Sequence, residues 1–247
     1  MDFISLLGQE IGRKKKTSPV RNDDVPTTAT ARHGLHIPGL QFESKDWFTE
    51  IIPALKSWGQ NVLFLGQSNM GKSYFLIKLL KRVQPERIVV ISNTPADQYR
   101  LPSLKSFKHY STMPECIEDM DLQPNTYVII DDIRVMGLKH GSQRECLYKF
   151  FTMYSHHHKL NVFFLSQSFD NIKDMKINAN FMYLFRFTDK SNIKRYLNTL
   201  FGGLCTKSSI IFRLYEKLLA VCRRPILTID CSSNQYYTYC EDTALKV

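Results

Sequence analysis

Residues 61–73 read Asn61-Val62-Leu63-Phe64-Leu65-Gly66-Gln67-Ser68-Asn69-Met70-Gly71-Lys72-Ser73. The run Asn61–Leu65 is short and apolar almost throughout, the pattern of a strand covered on both faces. The eight residues after it fit GxxxxGK[ST] in full. Beyond them Phe75, Leu76, Leu79, Leu80 and Val83 recur along one side of a helix. Strand, glycine loop and helix in that order are the setting that a phosphate-binding loop requires. A plain glycine turn would explain the letters but not the elements on either side. Glycines let the backbone fold back so that its N–H groups point inward at phosphate oxygens. The helix adds its positive N-terminal end. Gly66, Gln67, Ser68, Asn69, Met70 and Gly71 then form the cradle, Lys72 reaches the β- and γ-phosphates of a nucleotide such as ATP, and the Ser73 hydroxyl ligates Mg²⁺.

Working outward, Arg87–Ser92 (RIVVIS), Tyr127–Ile130, Asn161–Leu165 (NVFFL), Phe181–Phe187 (FMYLFRF) and Pro225–Asp230 (PILTID) read as further strands. Leu147, Phe150, Phe151 and Tyr154 have helical spacing, and residues 189–201 look helical. Trp47, Phe48, Ile51, Ile52 and Leu55 also follow helical spacing, with Pro53 expected to interrupt or bend the segment. Strands alternating with helices predict crossover connections. The expected fold is α/β, a P-loop NTPase of the RecA/ASCE-like kind, with a mainly parallel central sheet flanked by helices. Ligands of such sheets bind at the carboxyl ends of the strands. Each polar motif falls at such an end.

The strand at 127–130 runs into Asp131-Asp132. An acid delivered at a strand end is how P-loop enzymes hold Mg²⁺, so Asp131 is assigned to the metal. Asp132 then points toward the γ-phosphate and can polarise the attacking water. Two acids there would also serve to cap the next helix. The strand at 161–165 ends in Ser166-Gln167-Ser168. If it lies between the other two strands, the Gln167 amide comes close to the γ-phosphate and can sense hydrolysis, whereas a polar loop residue is the plain alternative. His156-His157-His158 has poor metal spacing, because neighbours on a helix point in different directions. A helix-end cation group suits it better.

The whole chain sets wider bounds. Its 247 residues and 43% hydrophobic content allow a sizeable core. No run of eighteen apolar residues suggests a membrane span. The basic run Arg13–Lys16 follows the short apolar N-terminal stretch, the wrong order for a secretory signal. Cys116, Cys146, Cys205, Cys222, Cys231 and Cys240 include no CxxC pair. They read as reduced thiols in a cytosolic or nuclear compartment. Half of the net +10 charge lies in residues 131–200. Such a surface attracts polyanions, nucleic acid first, although basic solubilising surfaces look the same. Residues 1–43 read as a basic, flexible N-terminal arm, either a solvated tail or a tether, and residues 44–247 as the ATPase domain.

The succession GQSNMGKS, YVIIDD, YSHHHKLNVFFLSQSF, INANFMYLFRF and PILTID resembles the FtsK–HerA superfamily of P-loop ATPases. More narrowly it resembles the poxvirus-type genome-packaging ATPases, in the branch of Polinton/Maverick elements, adintoviruses and virophages. The similarity spans roughly residues 55–232. It implies an ATP-driven motor that threads double-stranded DNA into a preformed viral capsid, usually as a homo-oligomeric ring, needing no membrane, in the nucleus or cytoplasm of a host cell. It places Lys72 and Ser73 on nucleotide and Mg²⁺, Asp131 on the metal, Asp132 as catalytic acid and Gln167 as sensor. Relatives often carry an arginine before the Asn-Ala stretch. Here Lys173 and Lys176 stand in that region, and lysine lacks the guanidinium fork. Arg144, Arg186 and Arg195 are the candidates for a trans-acting arginine finger, Arg186 foremost. Loops near 134–143 and 169–177, with Arg134, Lys139, Lys173 and Lys176, are expected to meet the DNA backbone. The rival readings are a P-loop helicase or DNA-segregation pump, a non-catalytic ATP-binding regulator of DNA or capsid, and, last, a small-molecule kinase.

Overall fold

The computed structural model describes residues 42–43, 48, 51–133, 138, 141–168, 175–187, 194, 212, 215–216, 219, 225–231 and 235–240. All of them belong to one unit, His33–Val247. The expected arm, apart from its last two residues, the expected helix at 189–201, apart from the helical Lys194, and Arg134, Lys139, Lys173 and Arg195 lie outside the described residues.

Among the described residues nine strands form one sheet: β1 Phe42–Glu43, β2 Asn61–Leu65, β3 Arg87–Ser92, β4 Ser106–Tyr110, β5 Tyr127–Asp131, β6 Asn161–Ser166, β7 Phe181–Leu184, β8 Pro225–Asp230 and β9 Gln235–Cys240. Their order across the sheet is β1-β9-β8-β7-β2-β6-β5-β3-β4. From β7 to β4 every neighbouring pair is parallel. Only β8 runs against its neighbours. The helices described end to end are α1 Ile51–Ser57, α2 Lys72–Val83 and α3 Gly141–Lys149, the last continuing through a π-helical turn, Phe150–Tyr154, into Ser155–His157.

The alternation of side chains across each central strand divides the core in two. Leu63, Val89, Ile91, Val128, Ile130 and Phe164 face one way, against Leu147, Phe150, Phe151 and Tyr154 of the α3 segment. Phe64, Ile88, Val90, Ile129, Phe163 and Tyr183 face the other, against Ile51 and Leu55 of α1 and Phe75, Leu76, Leu79 and Leu80 of α2. Both faces of β2, β5 and β6 are covered, which is why those strands read as unbroken apolar runs.

Two local expectations need correction. Pro53 does not interrupt its helix. It is the third residue of α1, in the first turn, where proline is tolerated within a helix. The strand expected over 181–187 ends at Leu184. There its partner β2 also ends and the glycine loop begins, so Phe185 and Arg186 bond to the end of β2 and the start of the loop instead. The strands β1, β4 and β9 had no expected counterpart, and β1 takes the last two residues of the expected arm. His158, expected as a helix-end cation, closes the α3 segment with its ring stacked on Tyr154 at 4.6 Å. Among the described residues no group of His, Cys, Asp and Glu is placed to hold a metal by itself, and no helix is long and apolar enough to cross a membrane.

Candidate active site

The loop after β2 is held from both sides. The Gly66 N–H donates to Ser166 O at the end of β6 (3.1 Å), and the Gln67 N–H donates to Arg186 O past the end of β7 (3.4 Å). The Phe185 N–H donates back to Leu65 O at 2.7 Å. The buried Tyr215 fixes that flanking segment, donating its hydroxyl to Phe185 O (2.9 Å) and accepting from the Phe187 N–H (2.8 Å). Asn69 (φ 61°) and Gly71 (φ 93°) turn the chain through left-handed conformations. The first helical bond, from Phe75 N–H to Gly71 O at 2.9 Å, follows at once. The amides at the start of α2 therefore have no acceptor within the helix and point out of its N-terminal end.

Lys72 lies inside this turn, only 8% exposed. Its ammonium donates to Gly66 O (2.6 Å) and Gln67 O (2.8 Å). Burial pulls its pKa down to about 8, against the opposing attraction of Asp131 and then Asp132.

The registers bring three strand ends level. Leu65 pairs with Ser166, and Asp131 with Leu165. β6 does lie between β2 and β5, the condition on which the reading of Gln167 depended. Ser73 Oγ donates to Asp131 Oδ2 at 3.3 Å, joining α2 to β5. Gln167 bridges the loop to the second acid: its Oε1 accepts from Ser68 Oγ (2.7 Å), and its Nε2 donates to Asp132 Oδ1 (3.3 Å). Lys72, Ser73, Asp131, Asp132 and Gln167, spread over 96 positions from 72 to 167, thus meet at one edge of the sheet.

Two partners of the acids were not foreseen. Tyr99, fully buried, donates its hydroxyl to Asp131 Oδ2 at 2.6 Å. Asn93 Nδ2 donates to Asp132 O at 3.3 Å. Both belong to the connection between β3 and β4. Burial raises the Asp131 carboxyl, opposed by the hydrogen bonds from Tyr99 and Ser73 and by the nearby Lys72 charge. Burial, with the Asp131 charge, pushes the Tyr99 hydroxyl far above its ordinary range, so it stays a donor. In the sequence the only hint of Tyr99 was a large aromatic in a polar stretch, Ser92-Asn93-Thr94-Pro95-Ala96-Asp97-Gln98-Tyr99.

The residues fit a nucleotide with its Mg²⁺. A buried cation and a helix N-terminus suit phosphate. The Ser73 hydroxyl and Asp131 carboxylate are hard oxygen donors, and Mg²⁺ takes one or two such protein ligands beside phosphate and water. Arg186 is exposed, two residues past β7, with its carbonyl on the loop. Arg144 is exposed on α3.

No protein-family model matches the sequence, and no curated protein sequence matches it. Solved structures do match. The genome packaging NTPase B204 from Sulfolobus turreted icosahedral virus 2, in complex with AMPPCP, superposes with a TM-score of 0.53 at 14% identity, covering 73% of this chain and 96% of that one. The fold is that of a P-loop NTPase. B204 from Sulfolobus turreted icosahedral virus, described as a DNA-packaging ATPase, gives a TM-score of 0.50 at 12% identity, over 73% of this chain and 97% of that one. The conjugation coupling protein TcpA of pCW3, with ATPγS, gives 0.50 at 13% identity, over 74% of this chain and 60% of that one. At these identities the likeness is one of fold.

Proposed function

We propose that this chain hydrolyses ATP to move double-stranded DNA, and that it packages a viral genome into a preformed capsid as a subunit of a homo-oligomeric ring. The observation that carries the hydrolytic part is the Gln167 bridge. One side chain touches both the loop, at Ser68, and the acid poised as base, at Asp132. The DNA and capsid parts rest on the resemblance to FtsK–HerA packaging ATPases of the poxvirus type, in the Polinton, adintovirus and virophage branch, supported by the +10 charge.

In this reading the loop amides and Lys72 hold the β- and γ-phosphates. Ser73 and Asp131 hold Mg²⁺, which when bound offsets charge on the phosphate oxygens. Asp132 accepts a proton from the attacking water, whose oxygen bonds to the γ-phosphorus. The bond to the β–γ bridging oxygen breaks, and ADP leaves with the electron pair. Gln167 orients the water against Asp132 and reports the loss of the γ-phosphate to the β6 strand. Arg186 is the proposed finger toward a neighbouring subunit. Purified chain should turn over ATP faster with double-stranded DNA, and Lys72→Ala should abolish this. With empty capsids added, DNA should become nuclease-resistant in an ATP-dependent way. Strand separation without protection of DNA would favour a helicase, and ATP binding without turnover a regulator.

A further inference from the structure

Tyr99 ends a short 3-10 turn, Asp97–Tyr99, in the connection between β3 and β4. The turn is closed by bonds from Tyr99 N–H to Ala96 O and from Arg100 N–H to Asp97 O, each 3.0 Å. Its ring packs with Ala96, Leu101 and the α2 core residues and is 0% exposed. A buried tyrosine hydroxyl needs a polar partner. Here the partner is not a spare carbonyl but the carboxylate of Asp131, at 2.6 Å. Ser73 Oγ donates to the same oxygen, Oδ2, so both hydroxyls leave Oδ1 clear of them. The terminal torsion of an aspartate is broad and weakly restrained by itself. A donor on a ring locked in the core removes that freedom, and its bond to a charged acceptor is among the stronger kinds. The same connection also holds the Asp132 backbone through Asn93.

We infer that Tyr99 is a positioning residue for the metal–nucleotide site: by fixing the rotation of the Asp131 carboxylate it sets the affinity of the site for Mg²⁺. The proposal rests on the reading of Gly66–Ser73 as a nucleotide loop. Mg²⁺ demands near-ideal octahedral geometry. A swivelling carboxylate meets that demand poorly. Outer partners of metal ligands commonly change metal affinity by about 10–100-fold when removed.

The test uses the full chain and binding rather than turnover. Mn²⁺, as a paramagnetic stand-in for Mg²⁺, is titrated by EPR in the presence of a saturating non-hydrolysable ATP analogue. Binding of the analogue in EDTA is measured separately. Tyr99→Phe removes only the hydroxyl. It should raise the half-saturating Mn²⁺ concentration about tenfold or more and leave analogue binding in EDTA unchanged. Leu79→Val, in the same core cluster, controls for general loosening and should leave Mn²⁺ binding as in the wild type. In an Asp131→Asn background, Tyr99→Phe should add less than about twofold, because its route through the carboxylate is gone. Unchanged Mn²⁺ affinity in Tyr99→Phe, or a full additional loss in the Asp131→Asn background, overturns the proposal. A wild-type chain that binds no analogue, with or without metal, overturns the loop reading and this proposal with it. Normal analogue binding with unaltered Mn²⁺ affinity overturns the role of Tyr99 alone.

Discussion

Gly66 lies against Phe185: a Cβ on Gly66 would stand 2.6 Å from the Phe185 Cβ and 3.3 Å from its Cα. Neither is the free end of a flexible side chain, so neither can swing aside. Gly71, the second glycine of the motif, has open space around it and is required for its φ of 93° instead. The two glycines should therefore fail differently. Gly66→Ala should cost about 1–3 kcal/mol by overpacking and push the start of the loop off the 185–187 segment. Gly71→Ala should cost about 1–2 kcal/mol in backbone strain without a clash. Urea unfolding measures the stabilities. Isothermal titration with an ATP analogue should show binding weakened in both.

Lys72 gives a prediction in pH. In the folded chain its pKa is about 8 against an ordinary 10.5. Below pH 8 folded and unfolded chains both hold the proton, and the buried charge costs stability on the order of 3 kcal/mol. Between pH 8 and 10.5 the unfolded chain holds more protons, so this contribution to stability rises with pH. Lys72→Met should thus stabilise the chain at pH 7 while abolishing phosphate binding. Phosphate favours the ammonium, so nucleotide binding should take up a proton above pH 8, and affinity should fall as pH rises there. Calorimetry at pH 8.5 in buffers of different ionisation heat should detect the proton in the wild type. It should find none in Lys72→Arg, whose guanidinium stays charged.

What the sequence disclosed follows from burial. β2, β5 and β6 are covered on both faces and announce themselves as NVLFL, YVIID and NVFFLS. The loop and the three strand tips, with Lys72, Ser73, Asp131, Asp132 and Gln167, were legible for that reason. Edge strand β4, SFKHY, is half-exposed along its length and carries no apolar run or clean alternation to mark it. Tyr99 was barely marked, a lone aromatic among polar neighbours whose partner is 32 residues away. The close approach of Phe185 to Gly66 is a tertiary contact that no local pattern encodes. Short-range pattern thus disclosed the residues that meet at the strand tips, while the groups that hold them in place came only from the fold.

Asp132 has φ 56°, in the left-handed region. Asp and Asn tolerate that conformation better than longer side chains. This gives a physical reason for aspartate rather than glutamate at this position. Asp132→Asn should keep the backbone and nucleotide affinity and lose turnover by about 10²–10⁴-fold, the usual contribution of a general base. Asp132→Glu keeps the carboxylate but strains the turn, and should lower the urea midpoint where Asp132→Asn does not. Turnover by Asp132→Asn at the wild-type rate would remove Asp132 from the chemistry.

Variants of Gln167 should separate nucleotide binding from hydrolysis. Its amide accepts from Ser68 and donates to Asp132. Gln167→Ala cuts both links without touching Lys72 or Ser73, so KM for ATP should change little while kcat falls by about 10²-fold. Gln167→Glu keeps the acceptor for Ser68 but sets a second carboxylate against Asp132. Like charges so close raise the pKa of one of them. The basic limb of the mechanism then needs a higher pH, and the rising side of the pH–rate profile should move to more alkaline values in Gln167→Glu but not in Gln167→Ala. If Gln167 only packs the strand tip, both variants should leave that profile in place and differ from the wild type in thermal stability alone.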